Sequence, residues 1–440
     1  MNKQLFTGCL VAALGGLLFG ADTAVISGAE QSIKEVFQLD GFWHGFTNAI
    51  ALIGTIVGSI ACGMPLDKYG RKKVLVLVAI FYIVSALGCG LSHSWVAYLI
   101  YRFIGGLGIG ASSVAGPMYI SEIAPPRLRG RLVALFQFNI VLGILLAYFS
   151  NYFINRWVAV DAWRWMLGVQ AIPSIIFFIL LYFIPESPRW LMKQQRTDDA
   201  RRVLLALGNQ NADDIVTDIA VSLKEESSGH AEKLFSRKFS FAVMCAILLA
   251  TFNQFSGINA LMYYAPRIFT MAGLGRDAAL LQAVLIGVTN MVFTVIAMFI
   301  IDKFGRKTLL IAGSIGMIVF LGLTAYAFQQ NLGGHTVLIY LVGFIASFAF
   351  SQGAVIWVFL AEIFPNSVRA KGQSLGSFTH WFWAAVMTWL FPIVAQLKNG
   401  GTIAFGFFCV AMILHLVFAV KVLPETKGKS LEELEKVVLR

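Results

Sequence analysis

Charge is what this sequence has least of. Only 13% of its 440 residues are Asp, Glu, Lys or Arg, about half the share of a soluble domain. Hydrophobic residues make up 58%. A soluble chain of this length needs charge to wet its surface, so a soluble enzyme is excluded. A disordered chain is excluded by the apolar content. Cysteine is scarce too. Cys9, Cys62, Cys89, Cys245 and Cys409 all fall in apolar runs, with no C-x-x-C, so they read as small hydrophobes rather than disulfides or metal ligands. No G-x-x-x-x-G-K-[ST] occurs, which argues against nucleotide-driven chemistry. No N-x-[ST] sequon occurs either. The net charge of +11 does not imply nucleic acid, because phosphate-binding basic residues need a wet surface. Neither a cofactor nor a metal is expected.

What is present is apolar sequence in lengths that suit a bilayer. Runs of about 20 residues cross the hydrocarbon core. Twelve are expected, at 5–28, 45–66, 74–92, 95–121, 132–154, 163–184, 239–264, 280–301, 308–328, 336–362, 373–396 and 401–423. The first, from Leu5 to Ile26, is too long for a signal-peptide core and is expected to remain as a helix. The chain then divides into a six-helix half over 1–184, a polar helical stretch over 185–238, a second half over 239–423 and a tail over 424–440. Thr197-Asp198-Asp199 reads as a helix start in the polar stretch, with a second helix over about 212–226. Ser430 and Glu433 have capping-box spacing in the tail. With the N-terminus inside, 27 of the 34 basic residues fall on the inner side and six on the outer. Both termini are therefore expected in the cytoplasm.

The halves repeat each other. Asp67-Lys68-Tyr69-Gly70-Arg71-Lys72 recurs as Asp302-Lys303-Phe304-Gly305-Arg306-Lys307. Glu122-Ile123-x-Pro125-x-x-x-Arg129 recurs as Glu362-Ile363-x-Pro365-x-x-x-Arg369, and Pro185-Glu186-Ser187 as Pro424-Glu425-Thr426. The nearly equal offsets imply two parallel six-helix repeats, with binding at the repeat interface near mid-membrane and rocking of one half against the other.

Only Asp22 and Arg102 among the charged residues lie well inside the expected spans. A charge at membrane depth costs at least about 2.5–3.5 kcal/mol unless it is paired or wet. Asp22 lies about 25 Å along an outward-running span and Arg102 about 10 Å below the outer end of an inward-running one, at 1.5 Å per residue. Both fall in the outer half. An Asp that is ionised against Arg or protonated away from it is a proton switch. A permanent structural ion pair is the alternative.

Amides and aromatics form a second group. The seventh span reads Asn253-Gln254-Phe255-Ser256-Gly257-Ile258-Asn259, followed by Tyr263-Tyr264. Ser256, Asn259 and Tyr263 share a helical face, and Gln254 joins them only if Gly257 interrupts the helix. Gln137, Asn139, Asn290, Gln352, Trp357, His380, Trp381 and Trp383 lie in other spans. Neutral donors and acceptors beside flat rings suit an uncharged polyhydroxylated ligand. Any single amide reads as an interhelical hydrogen bond, worth about 0.6 kcal/mol. Asp67/Arg71, Glu122/Arg129, Asp302/Arg306 and Glu362/Arg369 sit at inner helix ends, as topological charge or as an inner gate. The glycines Gly105, Gly106, Gly108 and Gly110 read as close helix packing.

Taken together, these residues resemble the sugar porter family of the major facilitator superfamily over the whole chain. The specific pieces are Pro185-Glu186-Ser187-Pro188-Arg189-Trp190-Leu191, Pro424-Glu425-Thr426-Lys427-Gly428, the paired Asp-x-x-Gly-Arg-Lys turns and the seventh-span sequence. Phe19-Gly20-Ala21-Asp22-Thr23 looks most like the family's bacterial proton–xylose symport branch. The resemblance implies the all-α, twelve-helix major facilitator fold and proton-coupled monosaccharide symport in the cell membrane by a functional monomer. A facilitative uniporter and a non-transporting sugar sensor are the alternatives. By the same resemblance Gln137, Gln254, Asn259, Tyr263, Asn290 and Trp357 contact sugar, with Phe19 and Trp381 lining the site. Asp22 is the protonated acid and Arg102 its partner. Glu122 would reach Arg369, and Glu362 would reach Arg129. Asn253 stands where the family usually has Gln, and His380 where the xylose branch has Gln. Both departures bear on which sugar is chosen.

Overall fold

The structure, a computed structural model, describes residues 2–125, 127–228, 233–365 and 368–427, with side chains apart from those at 225–228 and 302. The expected capping box at Ser430 and Glu433, and the side chain of Asp302, lie outside the described residues. No strand occurs among the described residues. Among the described residues twelve helices are long and apolar enough to cross a membrane: α1 (Lys3–Val36), α2 (Gly41–Ala61), α3 (Arg71–Leu91), α4 (Trp95–Ile123), α5 (Arg129–Trp157), α6 (Ala162–Leu181), α7 (Arg237–Met271), α8 (Arg276–Ile301), α9 (Arg306–Gln330), α10 (Gly334–Glu362), α11 (Arg369–Ala395) and α12 (Gly400–Lys421).

Eleven of the helices end within a few residues of the apolar run that specifies them, or extend it by a turn or two. The helix that departs most in its consequences is α1, which continues eight residues beyond the expected end at Gly28. Its apolar stripe of Ile26, Ala29 and Ile33 goes on at helical spacing, and all three are fully buried. The continuation brings Glu30 inside the helix. Between α6 and α7 the polar stretch folds as Pro188–Lys193, Thr197–Ala206 and Ala212–Ser228. Ser187 accepts from the Trp190 N–H and Pro188 fills the first helical position, which suits a start where one N–H is orphaned anyway. Asp198, Asp199, Asp213 and Asp214 occupy first turns, favourable against the helix dipole.

Contacts divide the chain into two compact units. The first comprises Met1–Thr23, Ile53–Ala147 and Arg164–His230, and the second Ala24–Leu52, Tyr148–Trp163 and Ala231–Arg440. The division cuts through α1, α2 and α5, and after the second residue of α6. In the first unit α1 and α5 touch backbone to backbone. A β-carbon on Gly20 would lie 1.9 Å from the Ile140 carbonyl oxygen, and one on Gly143 2.0 Å from that of Leu17. A β-carbon on Gly110 of α4 would lie 2.2 Å from the Thr55 carbonyl oxygen of α2, so Gly110 serves close helix approach. The five cysteines are all unpaired, and four are buried.

Candidate functional site

Asp22 on α1 and Arg102 on α4 meet. Arg102 Nη1 donates to Asp22 Oδ1 at 2.9 Å, and both side chains are buried. Asp22 Oδ2 is buried and has no hydrogen-bond partner among the described residues. Glycine at 105 leaves room beside the pair, since a β-carbon there would lie 2.4 Å from Ser85 Oγ and 3.8 Å from Asp22 Oδ1. One carboxylate oxygen is held and the other is open, which is the geometry of a group able to take up a proton without first losing its partner.

The polar sequence of the seventh span gathers because α7 breaks. Gly257 has φ +84° and ψ 11°, a left-handed conformation that glycine adopts without steric cost. A second irregularity follows at Tyr264, ahead of Pro266. The break at Gly257 turns Gln254 toward Asn259, which donates to Gln254 Oε1 at 2.5 Å. Gln254 Nε2 in turn lies 3.1 Å from Asn253 Oδ1 and 3.0 Å from His380 Nε2 of α11. The His380 ring stands 4.9 Å from Trp357 of α10 and 5.0 Å from Trp381. Asn253 reaches the Gln352 carbonyl at 3.4 Å, where α10 itself breaks at Ser351. Asn253, Gln254, Asn259, His380, Trp357 and Trp381 therefore form one node of amides, imidazole and indole faces. Tyr263 and Asn290 are buried on α7 and α8 of the same unit. Phe19 and Gln137 are half-buried on α1 and α5 and belong to the other unit. Asn139 bonds its own helix at the Leu135 carbonyl.

The three repeated motifs converge once in each unit. Arg71 donates to Glu122 from Nε at 2.9 Å and from Nη2 at 2.8 Å, and Ser187 Oγ donates to the same carboxylate. Glu186 accepts the backbone N–H groups of Arg71, Lys72 and Ser187. In the second unit Arg306 reaches Glu362 at 3.2 and 2.8 Å, and Thr426 Oγ1 donates to Glu362 at 2.6 Å. Glu425 accepts from the N–H groups of Arg306, Lys307, Thr426 and Lys427. Gly70 at φ +95° and Gly305 at φ +89° bring the backbone against these carboxylates. The resemblance assigns Glu122 to Arg369 and Glu362 to Arg129. In the structure those carboxylates carry Arg71 with Ser187 and Arg306 with Thr426. Arg369 Nε donates to the Phe364 carbonyl, Arg129 is exposed, and Asp67 lies 3.8 Å from Arg71 and 3.0 Å from Lys193.

Because α1 runs past its expected end at residue 28, Glu30 joins Asp22 and Arg102 as a charged residue buried within a helix. Glu30 is 1% exposed and His44 0%. His44 Nε2 lies 2.7 Å from Glu30 Oε2, and Arg267 of α7 reaches both, at 3.2 Å to His44 Nδ1 and 3.7 Å to Glu30 Oε2. The signal was the apolar stripe of α1 continuing past Glu30, together with the placement of His44 and Arg267 within a turn or two of a helix end.

The residues 8–438 match the family described as "Sugar (and other) transporter". The chain is 39% identical over 436 residues to the arabinose–proton symporter of Bacillus subtilis, covering 98% of this chain and 94% of that protein. It is 38% identical over 476 residues to the D-xylose–proton symporter of Escherichia coli, covering 99% and 96%. Among solved structures, the partially occluded inward-open conformation of the xylose transporter XylE from E. coli superposes with a TM-score of 0.87 at 36% identity, over 98% of this chain and 100% of that one.

Proposed function

The chain belongs to the sugar transporter family, has the twelve-helix major facilitator fold of a multi-pass membrane protein, and from that premise we propose that it moves a monosaccharide together with a proton by alternating access. The observation that carries the proton half is the Asp22–Arg102 pair with its open carboxylate oxygen. Asp22 ionised against Arg102 is a neutral pair. A proton on Oδ2 removes the attraction and leaves Arg102 to rearrange, which biases the helices toward a different packing. The sugar half rests on the node of Gln254, Asn259, Asn253 and His380 flanked by Trp357 and Trp381. Each ring hydroxyl of a sugar is both donor and acceptor, and amides and imidazole match that valence. Indole faces cover the apolar C–H faces of the ring. Phe19, Gln137, Tyr263 and Asn290 complete the proposed contacts.

The two substrates are coupled when each favours the same conformational state, so that carriage of one without the other is rare. We assign the termini to the cytoplasm from the basic-residue bias, which puts the Glu122 and Glu362 clusters, with Arg71, Arg129, Arg306, Arg369, Asp67 and Asp302, at the cytoplasmic ends as an inner gate. The two sequence repeats, 1–184 and 239–423, are the bodies that rock, joined by 185–238, and the monomer is the working unit. The test is uptake of a panel of pentoses and hexoses in proteoliposomes, with and without an inward pH gradient. Accumulation above equilibrium that a protonophore abolishes supports symport, and equilibration alone at every pH contradicts it.

A further inference from the structure

The geometry points to a second proton-binding site, His44, which clamps α1, α2 and α7 together while neutral and loosens α7 when protonated. The three members come from three helices. Glu30 is six residues from the end of α1, His44 three from the start of α2 and Arg267 four from the end of α7. They therefore share a level about 5–9 Å below the helix ends, at 1.5 Å per residue. Asp22 lies eight residues back along α1, or about 12 Å, so the two charged sites are separate.

The arrangement dictates where the protons are. Guanidinium groups carry donors only. Arg267 Nη1 faces His44 Nδ1 at 3.2 Å, so Nδ1 presents its lone pair. The ring proton then sits on Nε2, which donates to the Glu30 carbonyl at 3.1 Å, while Glu30 Oε2 lies 2.7 Å away as a charge contact outside hydrogen-bond geometry. The imidazole is neutral and the trio carries no net charge. It is the one arrangement in which all three contacts are favourable.

An added proton has one place to go. It binds Nδ1, turns the acceptor facing Arg267 into a donor and sets two cations in contact. The Arg267 contact breaks, while Nε2–H keeps its place against Glu30 as an imidazolium–carboxylate pair. The clamp loses its α2–α7 member, with α1 and α2 still joined and α7 kept only by the longer Arg267–Glu30 contact at 3.7 Å. The other groups that face this point do not substitute for it. Tyr264 of α7 places its ring 6.2 Å from His44 and bonds Asn48 and the Thr388 carbonyl. Its ring stacks on Phe391 of α11. Lys34 is one turn beyond Glu30 on α1, and Asp40 caps the α2 N-terminus through the Trp43 N–H. By the orientation proposed above the clamp lies at the extracellular end, so its proton comes from the outside medium. This reading rests on alternating access and on that orientation. External acid would then open the face through which proton and sugar enter.

The experiment is labelling of a cysteine introduced at buried Ser27 of α1 by a membrane-impermeant thiol reagent, in vesicles at external pH about 7.5 and about 5.5. The parent without the introduced cysteine sets the background at each pH, and rates are corrected for reagent thiolate chemistry with a free thiol. The parent carrying Ser27→Cys is expected to label severalfold faster at the lower pH. His44→Gln, which keeps an amide donor but takes up no proton, is expected to lose that rise. Arg267→Met and Glu30→Gln are expected to label fast at both values, and two variants guard against one that does not fold. Retention of the full rise in His44→Gln, or slow labelling of both Arg267→Met and Glu30→Gln, overturns the proposal. Asp22→Asn in the same background separates it from the coupling reading. Loss of the rise in that variant puts the responsive proton on Asp22 and overturns the assignment to His44, whereas loss of uphill uptake alone leaves it standing.

Discussion

Arg102 holds Asp22 by one oxygen, at 2.9 Å, and leaves the other oxygen of that carboxylate without a partner among the described residues. Under the proposed coupling, charge balance falls to one oxygen of this side chain and proton capture to the other. The pair also has a stability signature. Arg102→Met leaves a buried carboxylate unpaired, a loss of about 3–5 kcal/mol. Adding Asp22→Asn to it removes that charge and is expected to restore much of the melting temperature. A double variant no more stable than Arg102→Met would show that the two side chains do not interact energetically.

Gln254 touches Asn253, Asn259 and His380 at once. Gln254→Ala is expected to raise the sugar KM about 10–100-fold, the usual penalty when a hydrogen-bonding site loses a group and strands its neighbours. Radiolabelled uptake over a range of sugar concentrations reads it. A change of less than about twofold would assign the amide to packing.

The break in α7 depends on Gly257. Any β-carbon there must adopt φ near +84° and would lie 2.4 Å from the Phe408 ring. Gly257→Ala is expected to cost about 1–3 kcal/mol of stability and to depress transport more than folding, because Gln254 and Asn259 lose their register. Melting temperature and counterflow measured on the same preparation separate the two effects. Transport equal to that of the parent would contradict the role given to the break.

The repeated carboxylates Glu186 and Glu425 should respond to pH with opposite sign. Burial works to raise the Glu425 carboxyl, but four backbone N–H groups outweigh it and hold it below the usual value. Its contribution is present above the unfolded carboxylate range and is lost as pH falls through the folded value. Burial raises Glu186, and the N–H groups of Ser187, Lys72 and Arg71 only partly offset it. Its contribution is complete at low pH and declines as pH rises from the unfolded toward the folded value. Glu425→Gln is therefore expected to lower the melting temperature at neutral pH and to flatten the acid limb of the stability curve. Glu186→Gln is expected to cost less at neutral pH than at about pH 4. Parallel curves for the two variants would contradict the asymmetry.

Much of this was legible because the membrane strips sequence of alternatives. A run of about 20 apolar residues has one solution in lipid, so α2 to α12 follow from hydropathy, and Asp22 stood out against a span with no other charge. The glycine at 257 announced a helix break, since Gln254 and Asn259 share a face only across one. The trio of Glu30, His44 and Arg267 was not legible. A charge near the end of an apolar run marks the end of the helix unless a partner is known, and here the partners are 14 and 237 residues away along the chain. The attachment of Glu122 to Arg71 and Ser187 has the same cause. Sequence shows which charges repeat, while the fold decides which of several nearby cations each carboxylate takes.

The most direct measurement of the central claim is paired transport by Asp22→Asn in proteoliposomes. With an inward proton gradient and no sugar gradient, the parent protein is expected to accumulate sugar until a protonophore is added, and the variant is expected to accumulate none. With equal pH on both sides and sugar preloaded, the variant is expected to exchange sugar at a rate comparable to the parent, because the Gln254 node is untouched. Accumulation by Asp22→Asn that a protonophore abolishes would contradict the account, since a proton would then be driving sugar without the residue assigned to carry it.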